Sequence, residues 1–186
     1  IKPEDIESIK AFISEDQIEI VCEPEANKRR PQNTYDARFS LHFALAAALV
    51  HGRFGMGEVA DGVLKDPAVL ALCDRTRYEI DPDSAFPRYY SGSVEIRLKD
   101  GRILRASEAI NRGHPDNPLS LDDVIAKFRA TASTALAPWR VESIIEATLG
   151  LERFDTMASY WARLADEPRS DYAAAAQEHR IRAMKP

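Results

Sequence analysis

Apolar and polar residues follow two different spacings near the start of the chain. Residues 6–13 place apolar side chains three or four positions apart, which predicts a short helix, although the isoleucines there also suit a strand. Residues 17–22 alternate apolar and polar side chains, which predicts a strand. Residues 23–35 are polar and contain Pro24 and Pro31, so this segment is expected to be an exposed loop.

The clearest helix in the sequence begins after Ser40. The stretch is rich in alanine, and Gly52 stands where a helix commonly ends. Apolar residues nearly encircle this helix, so it is expected to lie buried at the centre of its domain. A short helical stretch to Leu64 follows, and an Asp66-Pro67 pair then predicts a helix over residues 68–75.

Two further strands are predicted over residues 76–80 and 93–98. Asp100 and Gly101 come directly after the second of these strands. An Asp-Gly pair between alternating segments is a strong hairpin signal, so residues 102–106 are expected to form the returning strand. The segment between the first two strands is expected to be a loop.

A boundary is expected between residues 111 and 119, where glycine and prolines interrupt any regular element. A capping-box pattern at Ser120 predicts a helix to about Leu136. Further helices are predicted over residues 139–149 and, capped by Asp155, through Leu164. The tail after Pro168 is charged and lacks an apolar stripe, so it is expected to be a loose terminus.

Composition narrows the class of protein. The chain has 186 residues, 45% apolar and 30% charged, which is typical of one large or two small globular domains. Its longest apolar run, residues 43–50, falls short of the roughly 18 residues that cross a bilayer, so a membrane partner is not expected. The net charge of -5 disfavours binding to nucleic acid, because it repels the phosphate backbone. Cys22 and Cys73 are not spaced as metal ligands, and no residue near either of them in the sequence would activate the thiol. Both are therefore expected to be inert thiols in a reducing cytoplasm.

The chain begins at Ile1, without an initiator Met and without a signal sequence. We therefore expect it to be a piece of a longer polypeptide.

Strong catalytic signatures are absent from the sequence, including the P-loop, GxGxxG, HExxH and GxSxG motifs. Any chemistry must come from scattered residues, among them four histidines. His42 is either a site residue or a core histidine bonded to a backbone carbonyl. His51 is interpreted as a cation at a helix end, His114 as a ligand contact or an exposed turn, and His179 as a solvated residue.

Two charged segments are candidate anion sites. Lys28, Arg29 and Arg30 could bind an acidic substrate, but a solvated run of charge is the favoured interpretation. Residues 35–40 gather a phenol, charges and a hydroxyl where the chain enters the central helix. A helix N-terminus attracts carboxylates, although capping alone explains Ser40.

The order and spacing of several short motifs resemble the C-terminal domain of the MmgE/PrpD family. The likeness continues in register to about Leu151. It is carried by Pro3-Glu-Asp-Ile-Glu-Ser8, Val21-Cys-Glu-Pro24, Tyr35-Asp-Ala-Arg-Phe-Ser-Leu41, Gly113-His-Pro115 and Lys127-Phe-Arg129, among others.

The resemblance implies an α+β fold. Residues 1–115 would form a two-layer α/β sandwich that covers an active site as a lid. Residues 116–186 would form a helical segment that packs on an N-terminal helical domain of the same protein, in a homodimer. The family includes 2-methylcitrate dehydratase, cis-aconitate decarboxylase and an iminodisuccinate epimerase, which use no metal and no organic cofactor.

The family's principal acid, base and lysine residues belong mostly to the upstream domain, so no catalytic residue is assigned in this chain. Tyr35, Arg38 and His42 are the predicted contacts to a small carboxylate substrate. The family commonly has lysine in place of Arg38 and proline in place of His42, so a distinct substrate preference is expected.

Two functions follow as hypotheses. The first is the lid domain of a cofactor-independent lyase or isomerase that acts on small di- or tricarboxylates, resembling 2-methylcitrate dehydratase and inactive as an isolated chain. The alternative is a non-catalytic binding or assembly module that associates through apolar faces of the helices after Ser120.

Overall fold

A computed structural model describes residues 1–165 of the chain. The chain divides into two compact units, Ile1–Leu119 and Ser120–Pro186. The first unit combines a sheet with helices, and the described part of the second is helical, so the predicted α+β class is confirmed. The predicted loose tail after Pro168, with His179, lies outside the described residues.

The sheet of the first unit is formed by the strands β1 (Ile6–Ile13), β2 (Thr76–Ile80), β3 (Gly92–Leu98) and β4 (Ile103–Glu108). It is mixed, with the strand order β2-β1-β3-β4. β1 pairs with β2 in parallel and with β3 in antiparallel, and β3 pairs with β4 in antiparallel. The predicted strands at 76–80 and 93–98 and the Asp-Gly hairpin are confirmed, and Gly101 in the turn has a φ of 87°.

The first strand stands where a helix was the favoured prediction. The pairing of β1 with β3 shifts register between Ile6 and Ser8. As a result Ile6 and Ile9 are both buried, and this three-residue spacing imitates the face of a helix. Beyond the irregularity, Ile9, Ala11 and Ile13 alternate inward as a strand requires.

The segment predicted as a strand at residues 17–22 is helix α1 (Glu15–Val21). Two acidic residues, Glu15 and Asp16, occupy its first turn, where the helix dipole favours negative charge. Ile20 is 56% exposed and Cys22 is buried, so the alternation did not correspond to a buried face. The expected loop at 23–35 is also wrong, because it contains helix α2 (Glu25–Arg29) and the start of α3 (Thr34–Arg38).

The central helix, α4 (Leu41–His51), is confirmed with its predicted ends. The Ser40 hydroxyl accepts a hydrogen bond of 3.0 Å from the Phe43 amide, and Gly52 ends the helix at a φ of 75°. After the short helix α5 (Asp61–Leu64), α6 (Pro67–Arg75) begins as predicted, with the Asp66 carboxylate accepting from Ala68 N at 2.8 Å.

The core lies between one face of the sheet and helices α4 and α6. Phe43, Val69 and Leu72 from these helices are buried against Ile9 and Leu98 of the sheet. The opposite face of the sheet carries ion pairs, Lys10–Glu79 at 2.7 Å and Arg105–Glu95 at 2.8 Å. The first unit therefore has two layers, helices on a sheet.

The second unit contains helices α7 (Leu121–Ala132), α8 (Pro138–Leu149) and α9 (Met157–Ala165) within the described residues. The predicted capping box is present, with Ser120 and Asp123 bonding reciprocally. α7 ends earlier than predicted, because turns follow Ala132. α9 is capped by Thr156 rather than Asp155, since the Thr156 hydroxyl accepts from Ser159 N at 3.2 Å.

Candidate functional site

The N-terminus of α4, the segment predicted to face a carboxylate, is closed by its own serine. Ser40 is 2% exposed. Its hydroxyl accepts from Phe43 N and donates to the carbonyl of Lys28, so both hydrogen-bonding roles are filled within the chain. Capping therefore accounts for Ser40.

The basic run at residues 28–30 is only partly solvated. Arg30 lies on the surface, as the favoured interpretation expected, whereas Arg29 is nearly enclosed and contradicts it. The Lys28 ammonium donates to the carbonyls of Ile20 and Phe39, which lie at the C-terminal ends of α1 and α3. Arg30 donates to both carboxylate oxygens of Asp74, at 2.9 and 2.8 Å.

Arg29 is the most enclosed member of the run, with a side chain only 14% exposed. Its guanidinium donates to the carbonyls of Cys73 and Thr76, where α6 passes directly into β2, and it pairs with Glu25. The bond from Arg29 lowers the pKa of the Glu25 carboxyl. The three basic residues therefore fasten helices together instead of presenting an anion site.

His42 lies behind this network and has no exposed surface. Its Nε2 is 3.4 Å from Oε1 of Glu25, outside hydrogen-bond geometry, and its ring meets Tyr78 edge to face at 6.0 Å. Burial, with help from the charge of Arg29, lowers the pKa of the imidazole. The prediction of a core histidine bonded to a backbone carbonyl is wrong, because neither ring nitrogen has a hydrogen-bond partner among the described residues. The role of His42 as a substrate contact stays a prediction.

Tyr35 and Arg38 are placed differently from His42. Both belong to the short helix α3 and are exposed, Tyr35 to 68%. The Tyr35 ring lies 5.0 Å from that of Phe39, and the Arg38 guanidinium donates to Sδ of Met56 at 3.6 Å. Because sulfur is a weak acceptor, and no carboxylate among residues 1–165 pairs with Arg38, its charge remains available to a ligand.

A groove of about 450 Å³ lies beside the start of α4. Its volume is in the range of pockets that hold small molecules. Phe12 from β1 and Leu41 and Leu45 from α4 line it, and Tyr90 and Glu108 stand at the end where β3 begins and β4 finishes. Neither Arg38 nor His42 contributes to its wall.

Two loops meet at that end of the sheet and hold a cluster that the sequence only hinted at. The Tyr89 hydroxyl donates to Oδ2 of Asp116 at 2.7 Å, and its ring meets that of His114 edge to face at 4.9 Å. Nδ1 of His114 accepts from Asp116 N at 3.1 Å. The aromatic residues at 86–90, in a segment expected to be a loop, were the sign of this cluster in the sequence. Nothing in the sequence indicated the contact of Tyr89 with Asp116.

The two cysteines are free thiols in the core, as predicted. Burial raises the pKa of Cys22 to about 11 and that of Cys73 to about 12. Both thiols therefore stay protonated at neutral pH.

Residues 1–165 contain no group of three or more histidine, cysteine or acidic side chains arranged to hold a metal ion. In the same residues, no helix is both long and apolar enough for a bilayer span.

Comparison with known proteins gives a consistent set of relatives. Residues 1–151 match the model of the MmgE/PrpD C-terminal domain. The chain is 31% identical over 128 residues to cis-aconitate decarboxylase of Mus musculus, and 30% identical over 128 residues to the Homo sapiens protein of that name. Each of these alignments covers 68% of this chain and 26% of the decarboxylase.

A third relative is the mitochondrial 2-methylcitrate dehydratase of Yarrowia lipolytica. It is 31% identical over 110 residues, covering 54% of this chain and 20% of the dehydratase. The chain thus spans about a quarter or less of the length of these relatives.

Proposed function

Because the chain belongs to the MmgE/PrpD family, we propose that it is the C-terminal lid domain of a lyase or isomerase acting on small di- or tricarboxylates. The observation that carries the proposal is the family match, which covers all of the first unit and continues through α8. The named relatives support the substrate class, since cis-aconitate and 2-methylcitrate are both tricarboxylates.

Tyr35 and Arg38 are the residues of this chain that would face the substrate's carboxylates. The exposed guanidinium supplies positive charge, and the phenol supplies a hydrogen-bond donor. His42 would reach a ligand only after a change of conformation that uncovers its ring. The catalytic base and acid would come from an N-terminal helical domain of the same protein, working as a homodimer.

This division of labour follows from the chemistry of elimination and epimerisation. Removing a proton beside a carboxylate requires a positioned base, and the enolate-like charge that develops requires donors aimed at it. Arg38 can serve the second requirement. Asp36, the carboxylate of α3, already accepts from Gln32 N at 3.3 Å and from the Asn33 amide at 2.9 Å, so we assign it no role as a base.

The proposal predicts activity in the protein encoded by the complete reading frame and none in the 186-residue chain alone. Both would be assayed on 2-methylcitrate, citrate, cis-aconitate and iminodisuccinate. Replacing Arg38 with alanine should raise the KM about tenfold, because a charge-assisted hydrogen bond is lost. Arg102→Ala, which breaks an exposed pair with Asp100, is the matched control. Turnover by the isolated chain, or none by the complete protein on any of the four, would contradict the proposal.

A second candidate function is a non-catalytic assembly module. Large apolar side chains of the second unit favour it, since Leu121 and Trp161 are each 59% exposed and Leu149 is 49% exposed. This alternative predicts that the 186-residue chain self-associates or captures a partner in sedimentation velocity. Leu121→Lys and Trp161→Lys should then restore a monomer, with the exposed Ile80→Lys of the first unit as control. A stable monomer without a partner would contradict the alternative.

A further inference from the structure

The loops that flank the β3–β4 hairpin converge at one end of the sheet, opposite the Asp-Gly turn. Gly92, the first residue of β3, pairs with Glu108, the last residue of β4. The segment 81–91 therefore enters the sheet where the segment 109–119 leaves it. This convergence brings Tyr89 beside His114 and Asp116, and the Arg88 guanidinium lies over the Tyr89 ring.

The turn that carries His114 is held by backbone hydrogen bonds. Gly113 N donates to Asn117 O at 2.8 Å, and Asn117 N donates to His114 O at 2.9 Å. The Asn117 amide also donates to the carbonyl of Ile110 at 2.6 Å. Gly113 has a φ of 94°, a left-handed conformation that favours glycine. The imidazole is thus presented from a rigid support, as a binding residue needs to be.

The bond to Nδ1 fixes which ring nitrogen of His114 carries the proton. Nδ1 accepts from the Asp116 amide at 3.1 Å and must offer its lone pair, so the neutral ring is protonated at Nε2. No residue of the described part of the chain bonds Nε2, and the side chain is 30% exposed. His114 therefore presents an N–H donor outward.

Charges of both signs lie around the His114 turn. The Arg88 guanidinium lies 5.1 Å from the centre of the Tyr89 ring, and no carboxylate among residues 1–165 pairs with it. Two carboxylates oppose it, and both are already engaged. That of Asp116 lies 3.7 Å from Nδ1, on the other edge of the imidazole, and accepts from Tyr89, while that of Glu108 accepts from the Asn117 amide at 3.3 Å.

We propose that Nε2–H of His114 and the guanidinium of Arg88 anchor one carboxylate of a small polycarboxylate. Tyr90, next to Tyr89 in the chain, lines the groove of about 450 Å³, so a ligand held by His114 can extend toward the start of α4. The assignment rests on the proposed function for its substrate class. It adds a positively charged anchor that is separate from Tyr35 and Arg38.

Side-chain NMR of the 186-residue chain tests the anchor directly, with citrate as the tricarboxylate probe and inorganic phosphate as the comparison anion. The free chain should show His114 as the Nε2–H tautomer. Citrate should shift the Nε2 signal in a saturable way, and phosphate should do so at least tenfold more weakly. Equal response to the two anions, or no response to citrate, would overturn the proposal.

Asparagine is the informative replacement at His114, because its side-chain oxygen can still accept from the Asp116 amide while the distal donor is lost. His114→Asn and Arg88→Gln should each weaken citrate binding about tenfold or more. His51→Asn and Arg102→Gln are the matched controls and should leave it unchanged. Unchanged citrate binding in His114→Asn, with the amide spectrum of the turn preserved, would refute the anchor.

The same variant in the complete protein separates this inference from the proposed function. His114→Asn should raise the KM for the carboxylate substrate about tenfold and change kcat much less. If citrate binds at His114 but the complete protein turns over no carboxylate, the proposed function fails and the anchor stands. If the complete protein is active and His114→Asn alters neither KM nor citrate binding, the anchor fails and the proposed function stands.

Discussion

Replacing Arg29 with alanine should lower the free energy of unfolding by about 3 kcal/mol. The guanidinium is nearly enclosed and donates to the carbonyls of Cys73 and Thr76 while it pairs with Glu25. Its removal takes one donor from each of these two carbonyls, which are left with their bonds from Thr76 N and Arg77, and it takes the arginine partner from the Glu25 carboxylate. Urea denaturation should show a lower midpoint with an unchanged slope, which indicates lost stability and not a changed unfolded state.

Arg30→Ala is the control for Arg29→Ala, because the next residue in the chain makes a bidentate pair on the surface. The side chains of Arg30 and Asp74 are 43% and 54% exposed, so this change should cost less than about 1 kcal/mol. Arg29→Lys should fall between the two, since lysine keeps the charge but lacks the fork that reaches both carbonyls. Equal losses in Arg29→Ala and Arg30→Ala would contradict the assignment.

The second large effect is a loss of stability in mild acid that depends on His42. The ring is buried, and burial followed by the charge of Arg29 lowers its pKa in the folded protein below the usual 6.5. Below pH 6.5 the unfolded chain takes up a proton that the folded protein does not, so acid favours unfolding. The free energy of unfolding should fall by roughly 1–2 kcal/mol between pH 7 and pH 5 through this residue.

The pH window identifies the residue responsible. Glu25 and Glu58 also have lowered pKa values, but the stability that they contribute is present above their ordinary value of 4.5 and is lost only below it. Unfolding measured between pH 5 and pH 7 should therefore show the slope in the unmodified chain and in His51→Gln. The slope should be smaller in His42→Leu, by at most one proton. An unaltered slope in His42→Leu would show that another group is responsible.

Local signals in the sequence predicted the elements whose ends are set by nearby residues. Ser40 and Gly52 bound α4, and Asp66 begins α6, because caps act within a few residues of the helix end. The helix predicted at residues 6–13 is a strand, and the strand predicted at residues 17–22 is a helix, for an equally local reason. The irregularity after Ile6 gave a strand the spacing of a helix, and an exposed Ile20 gave a helix the alternation of a strand.

The site was harder to predict because its contacts join distant parts of the chain. Arg29 finds its acceptors at Cys73 and Thr76, and Tyr89 finds Asp116, none of which a local pattern connects. Tyr35 and Arg38 are exposed on the segment that leads into α4, whereas His42, four residues after Arg38, is buried. The direction of a side chain at the start of a helix depends on which other elements pack there. The spacing of residues in the sequence does not predict that direction.

β1, an inner strand of the sheet, is synthesised before either of the strands that pair with it. β1 pairs with β2 on one side and β3 on the other, and the helices from α1 to α6 separate it from the nearer partner in sequence. On the ribosome, both edges of this isoleucine-rich strand stay unpaired until β2 has emerged. Exposed strand edges of that kind are the segments that aggregate or recruit chaperones during synthesis. The parallel crossover in this unit thus brings a delay during which its most apolar strand has both edges exposed.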